Sequence, residues 1–212
     1  MMQPYPGKFI LFEGFEGAGK STQVRAIAER LRRKDYEVVE TKEPGCATPK
    51  CQEIRKILLN PNKSLTATQE LDLFIEDRTD HFSVIVIPAL ESGMIVLCDR
   101  GSPSTIAYQH YGRGLSITEI LLKDAKARQN ISADLVLLLD IDPEIGLRRK
   151  KPETRFEIET ASFHQRVRQG YLEQARQDVE KKWVVIDAKK SLKEVQEECW
   201  KAIEGLLRSP VK

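Results

Sequence analysis

Metal-ligating side chains are few and scattered along this chain. It has four cysteines (Cys46, Cys51, Cys98 and Cys199) and three histidines (His81, His110 and His164) in 212 residues. No two cysteines make a CxxC pair, so a metal cage is not expected, and free thiols in a reducing compartment are. Charge of one sign is also lacking, since Lys+Arg 34 against Asp+Glu 32 leaves a net charge of +2. Without a global field, binding to nucleic acid or to a membrane surface is not expected, and any anion site must be local. No apolar run approaches the ~20 residues that span a bilayer. Residues 1–8, Met-Met-Gln-Pro-Tyr-Pro-Gly-Lys, lack the apolar core of a secretory signal, so a cytoplasmic location is expected. Repeats and low-complexity segments are missing too. With 41% hydrophobic and 31% charged residues, the composition suits a single domain over residues 1–212.

Five short apolar runs are present: Phe9 to Phe12, Val38 to Thr41, Ile95 to Cys98, Leu135 to Leu139 and Val184 to Ile186. Runs apolar on both faces suit parallel strands covered by helices on each side. Helical spacing lies between them. It links Val24, Ile27, Ala28 and Leu31, then Leu71, Phe74, Ile75 and Arg78, and later Phe163, Val167 and Tyr171. A last series runs through Leu192, Val195, Cys199, Ile203 and Leu206, opened by a Ser191/Glu194 capping box. Strand and helix in alternation predict a doubly wound α/β fold with a mostly parallel, five-stranded sheet. The basic stretch Arg148 to Lys151, followed by Pro152, is expected to interrupt the helices as a mobile loop or lid.

Glycine is concentrated where the first strand ends. Residues 13 to 22, EGFEGAGKST, contain Gly14-x-x-x-x-Gly19-Lys20-Ser21. This is the phosphate-binding loop pattern. Glycines let backbone N–H groups turn inward around a phosphate, Lys20 adds a point charge, and the Ser21 hydroxyl can hold Mg²⁺. An apolar strand precedes it and an amphipathic helix follows, so the whole segment Gly14, Phe15, Glu16, Gly17, Ala18, Gly19, Lys20, Ser21 and Thr22 is expected to cradle a nucleoside triphosphate. A GTPase should carry an Asn-Lys-x-Asp guanine reader, whereas Asn62-Lys63 is followed by Ser64 and Leu65. A motor would need a longer chain. What remains is a small phosphotransferase.

FILFEGFEGAGKSTQ, TKEPG, LDLFIEDR, LCDRGSPSTIAYQ, YGRGL, RFEIETASFHQRVRQGY and VIDA follow one another between about residues 8 and 190. In that order they resemble the thymidylate kinases, and the chain is similar to the branch that carries its catalytic arginines in the lid. The resemblance implies a P-loop nucleoside monophosphate kinase fold and a lid over about residues 146–157. It also implies a homodimer, and transfer of the ATP γ-phosphate to dTMP with Mg²⁺. Carried over residue by residue, it implies base stacking on Phe74 and contacts to the acceptor from Arg78, Arg55 and Arg100. It further implies acceptor contacts from Glu43 and Pro44, base-edge reading by Ser104 and Gln109, and crowding of the sugar's 2′ position by Tyr108. Asp99 joins Ser21 at Mg²⁺. None of Phe15, Glu16, Gly17 and Ala18 is a cation, so Arg149 and Arg155 are expected to supply the transition-state charge beside Lys20.

The chain departs from the resembling pattern at four places: Lys42 stands for an arginine, Cys46 for a glycine, Gly101 for an aromatic residue and Thr154 for an aspartate. These touch the acceptor side and the lid. Two other readings compete with the kinase of dTMP. One is a related monophosphate kinase with another acceptor such as dUMP, and the other is a nucleotide-binding regulatory module without turnover.

Overall fold

The computed structural model describes residues 5–149 and 153–208. The five apolar runs become β1 (Lys8–Glu13), β2 (Val38–Lys42), β3 (Ile95–Asp99), β4 (Leu135–Asp140) and β5 (Trp183–Asp187). All pair in parallel in the order β2-β3-β1-β4-β5. β1 is central, and its side chains alternate between two cores. Ile10 and Phe12 pack into one, Phe9 and Leu11 into the other. Burial of each such side chain stabilises the fold by roughly 1.5–3 kcal/mol. The outer strands β2 and β5 are only partly covered. A central strand apolar on both faces and half-exposed outer strands are what a doubly wound sheet requires.

Nine α-helices connect the strands among the described residues: α1 (Lys20–Arg32), α2 (Pro49–Leu59), α3 (Ala67–His81), α4 (Ile87–Glu91), α5 (Ser102–Thr105), α6 (Ile117–Ala127), α7 (Pro143–Arg148), α8 (Ala161–Arg176) and α9 (Leu192–Arg208). Their starts follow side-chain chemistry. Thr48, Thr66, Ser116, Asp142 and Thr160 each accept a hydrogen bond from a first-turn N–H. Ser191 and Glu194 exchange hydrogen bonds at the start of α9, as the capping box predicts. The sequence reading missed α6, whose buried stripe through Ile120, Asp124 and Ala127 includes a carboxylate where an apolar residue would be looked for.

Two π-helical segments interrupt the regular turns. Phe82–Val86 joins α3 to α4, and Ile106–Gly112 continues from α5. Such segments occur often at functional sites. The second one carries both Tyr108 and Gln109. The basic stretch departs from the expected loop at its start, because Arg148 is still the last residue of α7 and Arg149 caps it. Lys150, Lys151 and Pro152 lie outside the described residues. Among the described residues no helix is long and apolar enough to cross a membrane.

Candidate active site

Residues 14–19 connect the carboxyl end of β1 to α1, with Gly14, Gly17 and Gly19 at φ 135°, 72° and 92°. Side chains are strained in that region and glycine is not. Space is equally restricted, since a Cβ on Gly17 would lie 2.1 Å from the Gly146 carbonyl oxygen. Phe15 and Ala18 anchor the loop from below, and the Phe15 ring meets that of His164 edge-on at 5.0 Å. The Lys20 ammonium donates to the carbonyl oxygens of Gly14 and Phe15, each at 2.9 Å. Burial pulls its pKa down to about 8, and neighbouring Arg100 adds to the shift. Ser21 donates to a carboxylate oxygen of Asp99 at the end of β3, while the Thr22 N–H closes the first turn on Gly19.

A cavity of about 370 Å³ opens above this loop. Glu16, Gly17, Gly19, Lys20, Ser21 and Thr22 line one side. Opposite them stand Glu43 and Pro44 after β2, Arg55 on α2, Phe74 and Arg78 on α3, and Asp99 and Arg100 after β3. Ser104, Tyr108 and Gln109 complete the wall. Loops from the carboxyl ends of β1, β2 and β3 thus converge on one space, the usual ligand position in an open α/β sheet. Sequence reasoning expected all of these, and Lys42, Gly101 and Thr154, where the chain departs from the resembling pattern, line it too; Leu59, Thr105, Phe156 and Glu157 were not expected.

Individual placements differ in kind. Arg55 donates to the Pro44 carbonyl at 2.5 Å. Phe74 is half-buried on the wall, 6.0 Å from the Phe156 ring. Arg78, only 1% exposed, donates to Glu43 at 2.6 and 2.9 Å, to Asp124 at 2.7 Å and to Thr105 at 3.0 Å. His81 closes the same network on Glu43 at 2.8 Å. Removing one partner of such a buried pair costs about 3–5 kcal/mol. Arg78 therefore supports the acceptor wall from beneath while still lining it.

Arg100 occupies the centre. Its guanidinium donates to Glu16 at 2.6 Å, to the Tyr171 hydroxyl at 2.8 Å and to Ser104 at 3.2 Å. It also lies over the Tyr108 ring, 5.4 Å from the centroid, and the Tyr108 hydroxyl donates to the other Glu16 oxygen at 2.6 Å. Beneath them Glu13 accepts from Ser104 at 2.6 Å and from the Gly101 N–H at 2.8 Å. Glu13 was not anticipated, although a carboxylate ending an apolar strand is a visible signal.

Farther along the wall, Gln109 donates to Glu70 at 2.6 Å, and its own Oε1 has no partner among the described residues. A carboxylate accepts only, so Glu70 fixes the amide's orientation and leaves an acceptor available. Arg113 and Arg155 also donate to Glu70. The two lid arginines are thereby separated. Arg149 lies against the loop, donating to the Gly17 carbonyl at 2.9 Å and to that of Ala188 at 3.1 Å. Arg155 instead turns toward Glu70, with its guanidinium 5.0 Å from the Phe156 ring centroid, and lines a second cavity on the outer side. Sequence alone offered no sign of this separation.

Burial lifts the Glu13 carboxyl from its ordinary 4.5 to about 7, against the opposing pull of Ser104, Arg100, Lys20 and Gly101. Below pH 4.5 both folded and unfolded chains carry the proton. Between 4.5 and about 7 only the folded chain keeps it, so this group's contribution to stability falls as pH rises through that window and then levels off. The whole effect is roughly 3 kcal/mol at most. Glu13→Gln, which cannot ionise, is expected to gain stability relative to the parent as pH rises from 5 to 8. Urea unfolding across that range measures the difference, and a pH-independent difference would contradict the buried acid.

Comparison with known proteins adds an independent line. The family model described as "Thymidylate kinase" matches residues 12–199. A thymidylate kinase from Halothermothrix orenii is 40% identical over 207 residues, covering 95% of this chain and 98% of its own length. One from Carboxydothermus hydrogenoformans is 41% identical over 203 residues, with 94% and 98% covered. Another, from Trichlorobacter lovleyi, is 43% identical over 190 residues, with 85% and 89% covered. Strand order, loop and cavity agree with these matches, and the chain belongs to the thymidylate kinase family.

Proposed function

We propose that the protein transfers the γ-phosphoryl group of ATP to dTMP, giving dTDP and ADP for dTTP synthesis. The observation that carries this reading is a single cavity joining the phosphate-binding loop to a wall made of an aromatic ring, an unpaired amide oxygen and arginines. The acceptor's phosphate oxygen is already anionic and needs no proton removed, so the reaction calls for cations and alignment more than for a general base. In the transfer the γ-phosphorus loses its bond to the bridging oxygen of ADP and gains one to a dTMP phosphate oxygen. Phe74 stacks on the thymine, and Gln109 Oε1, oriented by Glu70, accepts the ring N–H. Ser104 supports the base edge. Tyr108, fixed by Glu16 and Arg100, fills the 2′ side of the sugar.

Arg100 and Arg55 hold the acceptor phosphate, with Glu43 and Pro44 shaping the loop beside them and Arg78 supporting it from beneath. Gly14 to Thr22 hold ATP, and Lys20 meets the β- and γ-phosphates. Ser21 and Asp99, already joined by a hydrogen bond, are the oxygen donors suited to Mg²⁺, which when bound would neutralise charge on the β- and γ-phosphates. Over the transferred group the charge comes from Arg149, whose position against Gly17 supports it for this role. Arg155 acts at the lid's far edge through Glu70. The unit of action is one kinase domain over residues 1–212 with a lid at about 146–157, working in the cytoplasm.

Lys20→Ala is expected to lower kcat by at least 10²–10³-fold with the fold intact. Arg149→Ala should lower kcat up to the 10³–10⁵ scale of arginine fingers, or less if a neighbouring arginine substitutes. Arg148→Ala is the comparison, because Arg148 is exposed and pairs with Glu144, and it should change little. Steady-state kinetics with circular dichroism on the three variants decides the matter. Equal minor effects of Arg148→Ala and Arg149→Ala would remove the lid from the chemistry.

Acceptor choice is the second test. One missing methyl contact is worth only ~1–3 kcal/mol, so dUMP should be a poor substrate and not an inert one. UMP should be poorer still because of Tyr108. Coupled ADP release across dTMP, dUMP and UMP reads this directly, and equal kcat/KM for all three would favour a kinase of broader acceptor range.

A homodimer completes the reading. Val84, Leu121 and Leu122 are 56%, 45% and 70% exposed on the α3–α6 side, where the Leu71 to Leu90 stretch supplies more apolar residues than its inward face uses. Light scattering at micromolar concentration should give twice the chain mass, and Leu122→Glu should reduce it. A monomer in the parent protein would end this proposal.

A further inference from the structure

Cys46 follows the Glu43-Pro44-Gly45 turn and Cys51 lies in the first turn of α2. Their sulfurs are 2.6 Å apart, and the residues are 2% and 0% exposed. Thr48 Oγ1 caps α2 between them, accepts from the Cys51 N–H at 3.1 Å and donates to Asp80. The Asp80 carboxylate is 3.6 Å from Cys51 Sγ. We propose that Cys46 and Cys51 are a peroxide-sensitive dithiol that closes into an intramolecular disulfide beside the acceptor wall.

Distance selects this chemistry over a metal. Cys46, Cys51 and Asp80 do offer three ligand atoms within 4.8 Å of one another. Two thiolates on one tetrahedral zinc, however, each ~2.3 Å from the ion, stand about 3.8 Å apart. The two sulfurs are already closer than that, in direct contact with each other and not spread around an ion. Burial selects the oxidant. Hydrogen peroxide is small enough to reach enclosed thiols, and bulky disulfides are not.

Burial and the adjacent Cys46 push the Cys51 thiol well above its ordinary range. The Cys46 sulfur attacks one peroxide oxygen while its thiol proton passes to the departing oxygen; the O–O bond breaks, water leaves and a sulfenic acid remains. Cys51 sulfur then attacks that sulfur while Asp80 takes its proton. The S–O bond breaks and the departing hydroxide is protonated to water. Two thiols and one peroxide become one disulfide and two waters.

The bond would lie within the frame of the acceptor side. Gln52 donates to the Gly45 carbonyl at 2.9 Å, the Gly45 N–H donates to Asp77 at 2.9 Å, and Arg55 holds the Pro44 carbonyl. Closure pins this turn to α2 and restricts its adjustment to the acceptor. The effect on dTMP rests on the function proposed above, whereas the thiol chemistry does not.

The test starts from fully reduced full-length protein treated with dilute peroxide, quenched and denatured. Reactive thiols should fall from four to two, the mass should drop by two hydrogens, and peptide mapping should join Cys46 to Cys51. Cys46→Ser and Cys51→Ser should each give no internal link. Oxidised protein should melt several degrees higher, raise KM for dTMP and leave KM for ATP unchanged, with dithiothreitol restoring both properties. Four surviving thiols, or thiol loss without the linked peptide, would overturn the proposal. One equivalent of zinc retained on dialysis, with both thiols protected from peroxide, would overturn it in favour of a metal site. A disulfide that forms with KM for dTMP unchanged would refute its coupling to the acceptor wall.

Discussion

The Arg100 guanidinium is the junction on which the rest of the site depends. It sits at φ 73°, unusual for a residue with a side chain, while its N–H donates to the Phe12 carbonyl at 2.9 Å. That conformation costs on the order of 1 kcal/mol or more and persists only where the surroundings over-determine it. Here they do. One planar fork reaches Glu16 in the phosphate loop, Ser104 on α5 and Tyr171 on α8, and its face covers Tyr108. Lysine has no fork and could not join three elements at once. The donor half of the cavity and the acceptor half are therefore set against each other by a single side chain.

Buried carboxylates organise the remaining cations. Glu43 and Asp124 hold Arg78, and Glu70 holds Arg155 and Arg113. Each of these carboxylates is removed from water and matched by an opposite charge, the arrangement that makes its burial tolerable. Glu13 is the exception. Arg100 and Lys20 pull its proton off, yet burial outweighs them and keeps its carboxyl raised to about 7. A protonated Glu13 adds no negative charge beneath a loop that binds anions.

Much of this was legible in the sequence, for identifiable reasons. Four of the five strands followed from apolar runs with no polar residue to interrupt them, whereas Val38 to Thr41 carries Glu40 and Thr41 and becomes the half-exposed β2. The phosphate loop followed from its glycines, which all take positive φ. Phe74 and Arg78 were placed on one wall because residues four apart share a helix face. What escaped was non-local. Glu70 and Asp124 look like ordinary helical charges until the fold brings Gln109, Arg155 and Arg78 against them. The divergence of Arg149 and Arg155 has the same origin, since they are six residues apart in sequence and only the fold sends one to Gly17 and the other to Glu70. Cys46 and Cys51 look unrelated in a scan for CxxC, yet a turn entering a helix brings the two sulfurs together.

The partners of the cations also distinguish those built to move from those built to stay. Lys20, Arg55 and Arg149 donate to neutral backbone carbonyls: Gly14 and Phe15, Pro44, and Gly17 and Ala188. Arg78 and Arg155 donate to buried carboxylates. Taking a cation away from a buried carboxylate leaves an uncompensated charge, whereas taking it from a carbonyl leaves only a dipole. A phosphate oxygen can therefore displace a carbonyl from the first set at little cost, while it would have to leave an uncompensated carboxylate behind to take the second. Depression of the Lys20 pKa to about 8 by burial sharpens the contrast, because an arriving polyanion restores the charge that burial disfavours. Cations of the first kind surround the path from the phosphate loop to the acceptor wall, and Arg78 and Arg155 form its supports. Arg100 belongs to both sets, since it faces the cavity and pairs with the Glu16 carboxylate, so a phosphate that reaches it must share that pair.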